Sequence, residues 1–198
     1  MKCIITVLAT ILSLALSPLA AQNFYKGLKA HDAGDYDTAL REWEPLAEQG
    51  NIEAQYNLGF MYDNGQGLTQ DKAKAVKWYL LAAEQAHGDA QLNLGAMYRN
   101  GAGVPQNFVE AANWYRLAAE QGNAIAQDNL GILYYFGDGV SQSNLTAHMW
   151  INLAFKNGAP EAGTRRDFIA EEMTKADISK AQDMAKDCIR SAYTKCGN

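Results

Sequence analysis

The sequence predicts an all-α protein, an α/α solenoid of stacked antiparallel helix pairs, and three observations carry that expectation. The stretch AQYNLGFMYDNGQG from Ala54 returns as AQLNLGAMYRNGAG from Ala90 and as AQDNLGILYYFGDG from Ala126, a spacing of 36 residues. Self-similarity at such a period marks a stacked-repeat architecture. Within each copy the apolar positions fall at helical spacing, and each copy runs into a Gly-x-Gly stretch too glycine-rich to continue a helix. One helix pair cannot cover its own apolar face, so the pairs must stack.

In chain order, residues 1–21 read as a secretory signal peptide. Lys2 supplies the basic start, IITVLATILSLAL the apolar run, and Leu19-Ala20-Ala21 a small-residue cleavage site, with the cut expected after Ala21. The run stops at Ser17-Pro18, short of the ~20 residues a spanning helix needs. The exported protein is therefore expected to be secreted or periplasmic, with no membrane insertion once the leader is removed. Residues 22–53 form a shortened first repeat whose linker, AGDYD, lacks the Gly-x-Gly insertion and whose second helix Pro45 should bend.

Full repeats occupy 54–89, 90–125 and 126–161. In the first of them Ala54, Leu58, Met61 and Tyr62 line one helical stripe. Gly59 offers a close approach to a neighbouring helix, and a second helix runs from near Asp71 to Gln85. That helix carries Ala75, Trp78, Tyr79 and Ala82 at i, i+3, i+4 and i+7. Gly122 and Gly158 suit left-handed helix ends in the later units. Residues 162–198 make a polar C-terminal helical cap: one helix opened by Pro160 and reaching Met173, then one capped by Thr174 and running from Lys175 to about Tyr193.

The pattern in AQYNLGFMYDNGQGLTQDKAKAVKWYLLAAEQ (an Ala, Leu-Gly, Tyr, Gly-x-Gly, Ala and a Trp-Tyr pair) resembles the Sel-one-like repeat (SLR) family, relatives of the tetratricopeptide repeat. The third copy departs from it at Met149-Trp150-Ile151 and Ala154-Phe155. The resemblance implies a right-handed superhelix that binds other proteins and scaffolds complexes, often in the bacterial cell envelope. It carries over no catalytic residue and no cofactor.

Composition and motifs point the same way. A net charge of -5 and a pI near 5.2 argue against nucleic acid, and no Lys or Arg stands between Arg116 and Lys156. There is no HExxH, CxxC, P-loop or GxSxG, and His31, His87 and His148 occupy unrelated repeat positions, so neither an enzyme nor a metal site is expected. Cys188 and Cys196 remain after the leader and, in an oxidising compartment, suggest a disulfide. A continuous helix would hold them about 12 Å apart, so the chain must turn back between them. Two unpaired thiols at a frayed end is the alternative.

Function should lie where the copies disagree. Opposite the apolar stripe of the first helices stand Tyr56, Phe60, Asp63 and Asn64, then Leu92, Ala96, Arg99 and Asn100, then Asp128, Ile132, Tyr135 and Phe136. By resemblance to tetratricopeptide proteins this face lines a groove for a peptide or helix of a protein partner. Aromatics with an Arg among polar neighbours have hot-spot composition. The candidate partner-binding residues are thus Tyr56, Phe60, Asp63, Arg99, Asp128, Ile132, Tyr135 and Phe136. Tyr135 and Phe136 are equally open to packing beneath the cap. The expected function is an exported scaffold that regulates or assembles an envelope protein; an envelope hydrolase or carbohydrate binder using the Tyr135–Phe136 patch is the alternative.

Overall fold

The computed structural model describes residues 18–194 and Cys196; the apolar run of the expected leader and Cys3 lie outside the described residues. Ten helices follow one another without a strand among the described residues: α1 (Pro18–Asp32), α2 (Tyr36–Glu48), α3 (Ile52–Asn64), α4 (Lys72–Glu84), α5 (Gly88–Asn100), α6 (Phe108–Ala119), α7 (Ala124–Phe136), α8 (Asn144–Lys156), α9 (Ala162–Glu171) and α10 (Lys175–Arg190). Successive helices pair and stack in an α/α solenoid from α1 to α8. Helix α2 runs through Pro45 to Glu48.

The repeat is built from local chemistry used three times. Asn51, His87 and Asn123 cap α3, α5 and α7 by accepting from the backbone N–H three residues on. Gly65, Gly101 and Gly137 end those helices in left-handed conformation, as the Gly-x-Gly pattern requires. The following Gln70, Gln106 and Gln142 fold back to donate to the carbonyls of Asp63, Arg99 and Tyr135. Asp71, Asn107 and Ser143 then cap α4, α6 and α8.

Packing follows the glycines. Tyr79 lies over Gly59 and Tyr115 over Gly95 so closely that a methyl group there would meet the ring, and both tyrosines are fully buried. Trp78, which the spacing puts on the apolar face of its helix, and its equivalent Trp114 are only half-buried; the glycine gap admits the next residue along the helix instead. Burial raises the pKa of both phenols, that of Tyr115 to about 12, and so keeps both neutral. Tyr62, Tyr98 and Tyr134 are half-buried against the clusters rather than within them.

Between repeats runs a ladder of amides. Gln55, Gln91 and Gln127 are buried; their side chains donate to the carbonyls of Ala47, Ala83 and Ala119 in the preceding helix pair and accept from Gln85, Gln121 and Asn157 at the end of their own pair. Two acceptors and two donors are satisfied at every rung, so the units cannot slide without leaving buried polar groups unpaired.

The C-terminal end differs from the expectation at two turns. Helix α9 starts at Ala162, not Pro160, because Glu161 takes a left-handed φ of 59° to reverse the chain. Helix α10 ends at Arg190, not Tyr193, because Ala192 and Tyr193 are both left-handed. That tight turn brings Cys196 back to Cys188; the two are disulfide-bonded with Cα atoms 4.6 Å apart.

Helix α8 is enclosed on three sides, by α7, α9 and α10, and every residue from Ala147 to Ala154 is buried. Its strip Leu145, Met149 and Leu153 faces the cluster that contains Ala181, Ala185 and Cys188 of α10. The same positions are Ala73, Lys77 and Leu81 on α4 and Val109, Asn113 and Leu117 on α6, all exposed. A Lys or Asn in mid-strip could not be buried without a partner, whereas Met149 can.

Candidate functional site

The variable face of the first helices is mostly engaged in stacking. Tyr56 lies flat on the His87 ring at 4.5 Å between centroids, which ties one repeat to the next. Phe60 sits 6.4 Å from His31. Asp63 is ion-paired with Lys72, and Arg99 donates to Asn129 at 3.1 Å. These four residues share the predicted face, but none of them meets the Tyr135–Phe136 pair.

Three others do come together. Ile132, Tyr135 and Phe136 of α7, Ile151 of α8, and Arg165, Phe168 and Ile169 of α9 enclose an apolar cleft of about 240 Å³. Tyr135 is half-buried: its ring meets Phe168 edge-on at 6.0 Å and its hydroxyl donates to Glu172 at 2.9 Å. That hydrogen bond to a carboxylate favours the neutral phenol and raises its pKa. Phe136 is 64% exposed, edge-on to Tyr135 at 5.0 Å. The two aromatics therefore divide between the two expectations, Tyr135 packing under the cap and Phe136 opening to solvent.

Asp128 is buried rather than displayed. Its Oδ2 is ion-paired with Arg165 at 3.0 Å, while Oδ1 has no hydrogen-bond partner among the described residues. Burial raises its pKa and Arg165 opposes the rise. The pair fastens α9 to α7. Ile151, Arg165, Phe168 and Ile169 are the cleft residues that sequence reasoning missed; the available signal was Phe168-Ile169, two large apolar residues directly after the charged run Arg165-Arg166-Asp167.

A second cleft of about 150 Å³ lies between Asp63, Lys72, Asn93, Met97 and Asn100. The three histidines are dispersed: His31 bonds Gln66, His87 caps α5, and His148 is buried in α8. Among the described residues no group of His, Cys, Asp and Glu could hold a metal ion, and no helix is long and apolar enough to cross a membrane.

The Sel1 repeat family model matches residues 52–87, 88–123 and 124–158, more than half of the 198-residue chain. This chain belongs to the Sel1 repeat family. The Sel1 repeat chain is similar to the crystal structure of a Sel1 repeat protein from Oxalobacter formigenes, at 30% identity and a TM-score of 0.73, with 86% of this chain and 77% of that one covered. It is also similar to c5321, a protective antigen of uropathogenic Escherichia coli strains with an SLR fold, at 27% identity and a TM-score of 0.61. There 88% of this chain covers 47% of the other, so this Sel1 repeat chain spans about half of c5321. A comparison with curated proteins gives no match. Sel1 repeats form helical scaffolds of the protein-interaction type, typically without catalysis.

Proposed function

We propose that the protein is an exported helical-repeat scaffold that holds a protein partner at the α7–α9 cleft and so regulates or assembles a cell-envelope protein. The observation that carries this reading is Phe136, a large aromatic left 64% exposed at the mouth of an apolar cleft. In the two preceding repeats its position is Asn64 and Asn100. An exposed aromatic beside an Arg is the usual anchor of a protein interface. Export rests on the leader sequence at 1–21. The cleft is smaller than the ~300–1,000 Å³ of typical small-molecule sites, which favours one inserted side chain over a whole substrate. Among the described residues Arg165 is the one charged side chain lining it and no carboxylate does, which disfavours the hydrolase alternative.

The test is capture of a partner from envelope extract by the mature protein and by Phe136→Ala. Binding should fall about thirtyfold, the equivalent of ~2 kcal/mol for a hot-spot aromatic, with the melting temperature nearly unchanged. Tyr134→Ala is the stability control: Tyr134 packs against two clusters and its hydroxyl accepts from Arg116 at 2.7 Å, so its loss should cost roughly 2–4 kcal/mol. Mass spectrometry of the exported form should find Gln22 at the N-terminus. Retained Met1, or specific binding of peptidoglycan fragments with no protein partner, would remove the proposal.

A further inference from the structure

We infer that the partner segment entering the α7–α9 cleft is basic, an aliphatic or aromatic anchor with a lysine or arginine within one helical turn of it. The inference rests on the scaffold reading and specifies its ligand. Both cations beside the cleft are already matched: Arg165 pairs with Asp128 and Glu161, at 3.0 and 3.2 Å, and Arg166 with Asp167 at 2.7 Å. Three carboxylates are not. Glu171 and Glu172 stand three and four residues after Phe168, hence on its side of the helix, and Asp138 follows Phe136 by two residues.

Glu172 accepts hydrogen bonds from Tyr135 and from Asn144, but both donors are neutral and leave its charge uncompensated. No ion pair reaches Glu171, Glu172 or Asp138 among the described residues, and α7 and its following turn contribute no cation, since Lys and Arg are absent between Arg116 and Lys156. An apolar cleft thus opens beside uncompensated negative charge, and the exposed face of Phe136 adds a cation–π site. Charge complementarity of this kind sets partner choice and association rate. An acidic segment would meet the same carboxylates at a cost.

The experiment uses the mature chain and two short synthetic peptides with the same leucine and phenylalanine anchors, flanked by lysines in one and by glutamates in the other. Anisotropy gives the affinity and NMR of the labelled protein gives the site. The lysine peptide should bind, shift the Phe136 and Phe168 signals, and weaken as salt is raised. Glu171→Gln with Glu172→Gln should lower its affinity about tenfold and Phe136→Ala about thirtyfold. Glu171→Gln alone, at a side chain with no bonded partner among the described residues, guards against a folding artefact. Equal or tighter binding of the glutamate peptide at these signals overturns the basic partner while leaving the cleft a docking site. Lysine-peptide binding that ignores Phe136→Ala, or no binding by either peptide, overturns the inference, and partner capture then judges the scaffold reading separately.

Discussion

Changing Gln127 to Glu should turn a stabilising rung of the amide ladder into a pH-dependent fault. Gln127 is fully buried; its Nε2 donates to the Ala119 carbonyl at 3.0 Å and its Oε1 accepts from Asn157 at 2.9 Å. A carboxylate keeps the second bond and loses the first, facing a carbonyl oxygen with another oxygen. Removing one neutral hydrogen bond costs ~1 kcal/mol, the expected deficit when the acid is protonated and can donate again imperfectly. Ionised, the group must also be desolvated, which raises its folded pKa above the ~4.3 of an unfolded Glu. Each unit of that rise is worth ~1.4 kcal/mol, so a rise of ~2 units brings the deficit to ~3–4 kcal/mol at pH 7. The sign follows from linkage: above the unfolded pKa the folded variant binds more protons, so its stability falls as pH rises. Urea unfolding followed by circular dichroism at pH 4.5 and 7, with the unmodified protein in parallel, measures both values. A deficit equal at the two pH values, or below ~1 kcal/mol at pH 7, refutes the ladder as a buried register device.

Other outcomes follow from single features. Alkylation without reduction should label neither Cys188 nor Cys196, and replacing both by Ser should cost ~2–3 kcal/mol, confined to the cap; labelling of both in fresh protein overturns the bridge. His148 is buried, and burial first, then Arg166, depress its pKa below 6.5, against a smaller opposing effect of Asp167. The unfolded chain therefore takes up the proton first, and stability should fall as pH drops below about 6.5 until the folded pKa is passed. His148→Leu should flatten that slope in pH-dependent melts. Ala86 has a left-handed φ of 66° where Gly50, Gly122 and Gly158 stand in the other units. Ala86→Gly should therefore raise stability by ~0.5–1 kcal/mol, and a loss would show that the strain is absent.

The array of helices was legible because its cause is periodic: the same capping residue, glycine and apolar stripe recur, and each solves the same packing problem. The adjacent choice between Trp78 and Tyr79 was not, because two neighbours on a helix differ by only 100° and the deciding object, the space above Gly59, belongs to another helix. The glutamine ladder was in plain view as Ala-Gln at 54–55, 90–91 and 126–127, yet its meaning depends on where Ala47 and Gln85 lie in space. In the cleft, Phe136 stood out because it breaks the repeat. Asp128 broke it too, but its partner Arg165 sits in a cap with no copy elsewhere to compare against. Differences between copies expose an anomaly; they do not say what satisfies it.

The cladding of α8 has a consequence for how such a chain can change length. Each earlier helix pair presents a face that another pair could join, so a 36-residue unit duplicated ahead of Ala124 meets the same caps, glycines and glutamines on both sides. After α8 that freedom ends, because α9 holds one flank and α10 lies along the strip that Lys77 and Asn113 keep polar upstream. Insertion of a further copy is thus directional in this fold: the middle of the array can accept it, whereas the Met149-bearing unit is bound to its two closing helices. Asp128, which docks α9, and Met149, which seats α10, together act as a stop signal written in side chains.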